Sequence, residues 1–165
     1  EVVTGVQTCA LPISSLSWKG FDLSAIFAYS IGGYIYNRDI TMILHNGSLE
    51  GRDWSTEILK RWTPDNRNTD VPALSTTTNN WNSASTRFLQ NNSYMRLKNL
   101  TLSYNLPKQW ISKLSLSSVQ VYVQGDNLFT IHRNQGLDPE QGITGITYYR
   151  YPAMRTISGG INVSF

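Results

Sequence analysis

At the end of the chain, positions with an apolar residue or glycine alternate with positions whose residues are small and mostly polar. The first set contains Ile157, Gly159, Ile161, Val163 and Phe165, and the second contains Ser158, Gly160, Asn162 and Ser164. Successive side chains of a β-strand point to opposite faces, so this segment has one apolar face and one polar face. A strand with lipid on one side and a wet lumen on the other needs this pattern, and an aromatic residue suits the membrane interface. The segment therefore predicts a transmembrane β-barrel strand.

Three earlier segments, at residues 17–30, 94–105 and 118–130, carry the same alternation. Their apolar rows are Phe21, Leu23, Ala25, Phe27 and Tyr29 in the first, Leu100, Leu102, Tyr104 and Leu106 in the second, and Val119, Val121 and Val123 in the third. Each segment reaches the roughly 9–11 residues that a tilted transmembrane strand requires. In the third segment, Gly125 predicts a bulge or a change of register before Leu128.

The predicted connections between these strands are long, short and long. Residues 31–93 separate the first two strands, residues 107–117 join the second and third, and residues 131–153 separate the last two. Outer-membrane barrels have this asymmetry, because their periplasmic turns are short and their extracellular loops are long. We therefore expect the last strand to descend to the periplasmic rim.

A short helix is predicted at residues 53–61, inside the first long connection. Asp53 is the predicted N-cap, because its side chain can accept a hydrogen bond from the first turn. Trp54, Ile58 and Trp62 recur at a spacing of four, which would place them on one face of an α-helix.

The composition favours a β protein with polar loops and argues against several other classes. Charged residues make up 15% of the 165 residues, against about 25% in a typical soluble domain. The net charge of +3 is small and the basic residues form no run or stripe, so nucleic-acid binding is not expected. Residues 23–37 form the longest charge-free stretch around the first strand. This stretch is shorter than the roughly 20 apolar residues that a membrane-spanning helix needs.

Residues 1–14 are predicted not to be native. The run from Val3 to Ile13 resembles the conceptual translation of a widely used sequencing-adapter oligonucleotide, and a match of that length is hard to obtain by chance. We therefore exclude this segment from the expected fold, as one excludes the scar of an expression tag. The alternative is a genuine strand that contains a proline. Because the single cysteine, Cys9, lies in this segment, we expect no disulfide, thiolate nucleophile or cysteine metal site elsewhere.

Four such strands are not expected to form a complete protein. Each would expose an apolar face, and a four-stranded sheet has two unpaired edges. Bacterial barrels close with about eight or more strands, and unpaired backbone groups in hydrocarbon are costly. The chain is therefore expected to be the C-terminal part of a larger all-β barrel, with its last four strands antiparallel.

Residues 15–165 resemble the C-terminal part of the SusC/RagA family of TonB-dependent outer-membrane transporters of Bacteroidota. The stretches that carry the resemblance are residues 18–24 (WKGFDLS), 32–37 (GGYIYN), 54–57 (WSTE), 61–64 (RWTP), 93–99 (SYMRLKN), 106–107 (LP), 125–130 (GDNLFT), 136–140 (GLDPE), 151–152 (YP) and the terminal strand. Each is weak alone, but together they follow one another in order over almost the whole chain. Asp126 departs from the family, which more often has Gln there.

The resemblance implies a barrel of about 22 strands with a plugged lumen, in the outer membrane. It implies energised import of oligosaccharides or peptides, with a SusD-like surface lipoprotein as a lid. The TonB complex would act through an N-terminal region that this sequence lacks, so this polypeptide alone should transport nothing. The resemblance also implies that the outer-membrane assembly machinery reads the last strand, through Ile161, Val163 and Phe165. The alternative for Phe165 is a simple anchor at the lipid interface.

No catalytic, cofactor-binding or metal-binding residue is predicted, and the chain is not expected to be an enzyme. Asp53 and Glu57 lie four apart, but a solvated helix face explains them. His45 and His132 are far apart and lack the carboxylate or cysteine spacing of a metal site. The residues Asp138 to Glu140, around a proline, are interpreted as a turn.

Aromatic residues of the long loops are the remaining candidates for ligand binding. They are Trp54, Trp62, Trp81, Tyr148, Tyr149 and Tyr151. They could stack on sugar rings or contact the lid lipoprotein, or they could pack the loops and form the interfacial girdle.

Two other functions stay open on the sequence alone. The first is a structural or adhesive outer-membrane barrel that transports nothing. The second is a secreted β-sandwich enzyme acting on glycans, which needs strands buried on an inner face and carboxylates that meet in one cleft.

Overall fold

The computed structural model describes residues 8–45, 49, 51–75, 83–112, 116–134, 136, 138–140, 146–147 and 150–165. The chain divides into two compact units. The first, which we call the sheet unit, comprises Glu1–Gly33, Asn92–Pro139 and Tyr151–Phe165. The second, which we call the loop unit, comprises Tyr34–Asn91 and Glu140–Arg150.

The described elements are mostly strands. The strands are β1 (Thr8–Ala10), β2 (Ile13–Trp18), β3 (Phe21–Ile31), β4 (Tyr34–Asn37), β5 (Leu89–Asn91), β6 (Tyr94–Asn105), β7 (Ser118–His132), β8 (Ile146–Thr147) and β9 (Thr156–Ser164). The helices are α1 (Arg38–Ile43), α2 (Lys108–Ile111) and two 3-10 helices, Thr56–Lys60 and Thr86–Phe88. No described helix has the length and apolar character that crossing a membrane requires.

The sheet unit contains one open antiparallel sheet. Its described strands follow the order β1-β3-β6-β7-β9, and β2 also pairs with β3. The three predicted strands at the centre and C-terminal end of the chain are confirmed. β6 coincides with the predicted segment 94–105, and β7 runs two residues beyond the predicted end at residue 130.

The predicted first strand, residues 17–30, was wrong at its beginning. A two-residue turn at Lys19 and Gly20 separates β2 from β3, and β2 folds back so that Trp18 pairs with Phe21. Lys19 has φ 47° and Gly20 has φ 88°. Positive φ at both central residues is the geometry of the tight hairpin turns that match strand twist. A Cβ at Gly20 would lie 3.1 Å from the Asn105 carbonyl oxygen, so glycine fits best there.

The predicted change of register in β7 is confirmed, and it involves β6 as well. Gly125 still pairs regularly with Leu100, and the β6–β7 register shifts between Leu97 and Asn99. The β3–β6 register shifts at the same height. Asn127, with φ 52°, lies in the shifted part of β7. Residues of β6 on either side of this shift therefore do not follow one simple alternation.

In the loop unit, β4 pairs antiparallel with β5 and parallel with β8. The Asn37 side chain caps α1, because its Oδ1 accepts a hydrogen bond from the Ile40 N–H at 3.0 Å. Ile35 and Phe88 are each 1% exposed and form the centre of this unit.

The predicted helix at residues 53–61 is present but was wrong in type and start. It is the 3-10 helix Thr56–Lys60, and its N-cap is Ser55 in place of Asp53. A 3-10 helix has three residues per turn, so residues four apart do not share a face. Ile58, inside this helix, is buried, while Trp54 and Trp62 lie outside it and are exposed.

Candidate membrane and lumen faces

One face of the sheet unit is built from apolar side chains that the strand register aligns into rows. Two of these rows are Phe21–Tyr104–Val121–Ile161 and Leu23–Leu102–Val123–Gly159, each read across β3, β6, β7 and β9. β2 extends them with Trp18 and Leu16. We call this surface the apolar face.

The apolar face is open in the described part of the chain. Leu23, Leu102 and Val123, from the middle of the sheet, expose 38%, 42% and 48% of their surface. Soluble monomers rarely expose a contiguous apolar patch of this kind. The alternative of a β-sandwich predicts a second layer over these rows, and none of the described residues forms one.

Aromatic side chains mark the end of the apolar face at the β2–β3 turn. The rings of Phe21 and Tyr104 pack at a centroid distance of 4.5 Å. The Lys19 Nζ lies 4.9 Å from the centre of the Trp18 ring, in a cation–π contact. Amphipathic aromatic and lysine side chains of this kind suit a boundary between apolar and polar surroundings.

The opposite face, which we call the polar face, carries a network of side-chain hydrogen bonds. Asp22 accepts hydrogen bonds from Ser17 at 2.5 Å and Asn105 at 2.7 Å. Asp126 accepts one from Asn99 at 2.7 Å and is also bonded by Gln124. Further bonds run from Gln120 to Ser103 and from Asn162 to Gln120. The network crosses β3, β6, β7 and β9, which makes this side of the sheet suited to water.

On the polar face, an aromatic ring also covers a bare backbone. Tyr122 pairs with Gly160 across β7 and β9. A Cβ at position 160 would lie 2.7 Å from the Tyr122 hydroxyl oxygen, so the ring occupies the space that a side chain would fill. Ring-over-glycine packing of this kind stabilises the strand pair.

Beyond the register shift, the polar side of the sheet holds a buried ion pair. Arg96 and Asp138 approach to 2.5 Å, with side chains 4% and 7% exposed. The Arg96 Nε also donates to the Thr130 hydroxyl at 2.9 Å. The second carboxylate oxygen of Asp138 accepts the Ala153 N–H at 2.6 Å.

Sequence reasoning missed this pair, because it treated Asp138 only as a turn residue. One signal was present. Arg96 shares even numbering with Leu100 and Leu102, so a regular strand would have pointed an arginine into lipid. The register shift places Arg96 opposite Ala28, which shares the polar side of β3 with Asp22. An arginine in line with an apolar row therefore predicts either a bulge or a buried partner.

Comparisons with known proteins give one consistent answer. The chain is 34% identical over 163 residues to TonB-dependent receptor P3 of Formosa agariphila, which covers 92% of the chain and 16% of the receptor. It is 28% identical over 153 residues to the TonB-dependent receptor SusC of Bacteroides thetaiotaomicron, covering 92% of the chain and 14% of that receptor. No family model matches the chain.

A solved structure gives the same match in three dimensions. The RagAB peptide importer in its closed-closed state superposes with a TM-score of 0.79 and 35% sequence identity, covering 94% of this chain and 17% of the importer chain. The chain belongs to the SusC/RagA family of TonB-dependent receptors. Its strands correspond to the C-terminal strands of such a barrel, as predicted, and in the described residues they form an open sheet. Membership in this family of receptors and transporters also confirms that the chain is not an enzyme.

β9 carries two of the three predicted assembly residues, Ile161 and Val163, on the apolar face, and Phe165 follows the end of the strand at Ser164. Ile161 is 64% exposed, Val163 is 45% exposed and Phe165 is 93% exposed. Within the described residues, β9 pairs on one side with β7, so its other edge is open. A role of these residues in assembly stays a prediction.

The loop aromatics fall in different places. In the loop unit, Trp54 packs edge-on against His45 at a centroid distance of 5.3 Å, and the backbone N–H of Trp62 donates to the Val71 carbonyl at 2.8 Å. In the sheet unit, Tyr151 is 97% exposed. The remaining predicted contacts, Trp81, Tyr148 and Tyr149, lie outside the described residues. No group of three or more potential metal ligands occurs among the described residues.

Proposed function

We propose that the chain is part of the wall of an outer-membrane TonB-dependent importer of oligosaccharides or peptides. The observation that carries this proposal is a single sheet with an open apolar face and a hydrogen-bonded polar face. Family membership supports the TonB-dependent part of it, and the peptide-importing relative supports peptides as one cargo class. The chain spans only 16% of the first receptor's length, so the activity belongs to a longer protein.

In this proposal the apolar face contacts lipid and the polar face lines the lumen. Hydrocarbon offers no hydrogen bonds, so a wall needs apolar side chains outward and satisfied backbone groups within. The partners would be a SusD-like surface lipoprotein, which closes the mouth, and the TonB complex, which acts through the part of the protein outside this chain.

We propose two roles for the predicted site residues. Ile161, Val163 and Phe165 form the signal that the outer-membrane assembly machinery reads. The loop aromatics, among them Trp54 and Tyr151, contact cargo or the lid. Deleting Phe165 from the complete receptor should lower its abundance in the outer membrane, and unchanged abundance would reject the first role.

Residues 1–14 remain, in this proposal, foreign to the native receptor. β1 and the start of β2 pair with β3 and extend the edge where the preceding barrel strand would lie. Amplifying the gene from genomic DNA with a primer inside residues 94–105 tests this. The native codons before residue 15 should encode a different sequence, and recovery of the same fourteen residues would reject the idea.

Matched arginine substitutions on neighbouring positions of β6 test the two faces. In the complete receptor, Leu102→Arg places a charge on the apolar face and Thr101→Arg places one on the polar face. Arginine on a lipid-facing position of a barrel is unfavourable by about 2–4 kcal/mol at the bilayer midplane. The amount of folded receptor in outer-membrane fractions can be read from the band that migrates faster in an unheated SDS gel. Leu102→Arg should reduce this band, and Thr101→Arg should leave most of it. Equal loss from both variants would reject the assignment of the faces.

Uptake distinguishes an importer from a barrel that only has a structural or adhesive role. Cells that carry the complete receptor should accumulate labelled peptides or oligosaccharides, and loss of TonB should abolish this accumulation. Binding without TonB-dependent uptake would favour the structural or adhesive alternative.

A further inference from the structure

One carboxylate joins three separate segments of the sheet unit. Asp138 lies on the segment after β7, and Ala153 lies on the segment before β9. The Asp138 Oδ1 is 2.5 Å from the Arg96 guanidinium on β6. The Asp138 Oδ2 accepts the Ala153 N–H at 2.6 Å. The two stems of the loop 139–152 are therefore drawn together at one side chain.

We propose that Asp138 is a positioning residue that closes the base of this loop. We call the group formed by Arg96, Asp138 and the Ala153 N–H the stem clamp. Its structural role is independent of the proposed function. Its consequence for cargo binding rests on the proposed function, because the loop includes the candidate contact Tyr151.

Burial makes the sheet side of the stem clamp rigid. The Arg96 and Asp138 side chains are 4% and 7% exposed, so little water competes for their charges. The Arg96 Nε is held at the same time by the Thr130 hydroxyl on β7, at 2.9 Å. Hydrogen bonds to charged groups strengthen in surroundings of low dielectric constant. Through Arg96, Asp138 is therefore held against β6 and β7, independently of its contact with the second stem.

The two stems are secured unequally. The first stem has further buried support, since the Asn92 Nδ2 donates to the Pro139 carbonyl at 3.0 Å and the Asn134 Nδ2 donates to the Asn92 Oδ1 at 3.2 Å. At the second stem, the bond from Ala153 to Asp138 is supplemented by an exposed bond from the Asn127 side chain to the Met154 carbonyl, at 3.2 Å. Because β4 holds β8, loss of the Ala153 N–H contact should release the short stretch between β8 and Ala153, which includes Arg150.

Closing a loop at its base lowers the conformational freedom of everything between its stems. A binding loop that is already ordered loses less entropy when the ligand arrives, and so it binds more tightly. The stem clamp would thus affect how strongly the receptor holds cargo without contacting cargo itself.

Replacing Ala153 by proline tests the stem clamp, because proline has no N–H and the Arg96–Asp138 pair stays. The matched control is Ala153→Ser, which keeps the N–H. The measurement is the rate of trypsin cleavage after the exposed Arg150 in purified, folded, complete receptor. Cleavage follows the population of the opened form, so we expect Ala153→Pro to be cut at least about five-fold faster than wild type. Ala153→Ser should be cut at the wild-type rate. Equal rates for Ala153→Pro and wild type would overturn the proposal.

A charge exchange separates the ion pair from the closure of the stems. The double variant Arg96→Asp with Asp138→Arg keeps opposite charges but removes the acceptor for the Ala153 N–H from the first stem. We expect fast cleavage after Arg150 in this variant, as in Ala153→Pro. Cleavage as slow as in the wild type would show that the ion pair alone closes the loop, and the proposal would be wrong.

Uptake kinetics test the consequence for binding. In the Ala153→Pro receptor, the KM for labelled peptide uptake should rise about three-fold while the maximal rate stays the same, because pre-organisation affects binding more than transport. Faster cleavage with an unchanged KM would overturn the link to cargo. A wild-type receptor that takes up no peptide and no oligosaccharide would instead refute the proposed function, and the cleavage result would still decide the stem clamp.

Discussion

The sheet unit and the loop unit differ in how far apart along the chain their bonded side chains lie. In the sheet unit, the Asn105 side chain bonds Asp22 across 83 positions and Arg96 bonds Asp138 across 42. In the loop unit, most described side-chain bonds join near neighbours, as Lys60 joins Glu57 three positions away. Long-range bonds define which strands lie side by side. Local bonds shape turns without specifying the fold around them.

The described ion pair of each unit shows what this difference means for energy. The Arg96–Asp138 pair is almost fully buried, whereas the Lys60 and Glu57 side chains are 67% and 49% exposed. Water and salt weaken the exposed pair and hardly reach the buried one. An ion pair should therefore contribute much to the stability of the sheet unit and very little to that of the loop unit.

Removing one partner of the buried pair should give the largest effect. Arg96→Met takes away the cation that neutralises the Asp138 carboxylate in a buried site. Breaking such a pair typically destabilises a protein by about 3–5 kcal/mol. The complete receptor should lose its folded, faster-migrating band at a clearly lower temperature than wild type. If Arg96→Met kept the transition temperature of the wild type, the ion pairs of the two units would not differ in their contribution to stability as proposed.

The matched control for this variant removes both charges. Arg96→Met combined with Asp138→Leu leaves no buried charge, and apolar replacements of buried ion pairs are often neutral or stabilising. The double variant should therefore recover most of the stability that Arg96→Met loses. No recovery would indicate that lost packing, and not charge, explains the single variant.

The parts of the sheet that follow one regular alternation could be predicted from the sequence. β6 was predicted at its observed bounds, and the apolar rows through Leu102 and Val123 lie where the period of two placed them. The register shift could not be located, because it depends on how three strands pair and not on any one of them. The turn at Lys19 and Gly20 was missed although glycine is a local turn signal, because the turn is defined by the folding of β2 back onto β3.

A smaller effect is expected where packing in the sheet unit involves no charge. Gly160→Ala places a Cβ where the Tyr122 hydroxyl lies, at 2.7 Å, so the ring has to move. Overpacking of this kind costs about 1–3 kcal/mol. The transition temperature of the complete receptor should fall by less than in Arg96→Met.

A second substitution checks the origin of that loss. In a Tyr122→Ala background the added methyl group meets no ring, so Gly160→Ala should then have little further effect. A full additional loss in this background would point to backbone strain at Gly160 and not to the ring. Either result shows whether contact with the Tyr122 ring explains the loss of stability in Gly160→Ala.

The candidate sites were predictable only as far as they depend on position along a strand. Ile161 and Val163 lie on the apolar face because alternation places them there. Asp138 was not recognised, because its partners, Arg96 and Ala153, are distant in sequence and meet it only after the strands pair. The loop aromatics Trp54 and Trp62 were expected on a common helical face, but the helix spans only Thr56–Lys60 and both residues lie outside it.

The exposed pair of the loop unit should give the smallest effect. Lys60→Gln removes the charge from a contact that is 2.8 Å long but largely solvated. Surface pairs of this type are worth about 0–1 kcal/mol, and the side chains lose entropy in forming them. The transition temperature should therefore stay within error of wild type, at low and at high salt. A loss comparable to that of Arg96→Met would contradict the distinction between the units, because it would require Lys60 to be shielded from water in the complete receptor. In that case the exposure of the loop unit in this chain would not describe its surroundings in the complete protein.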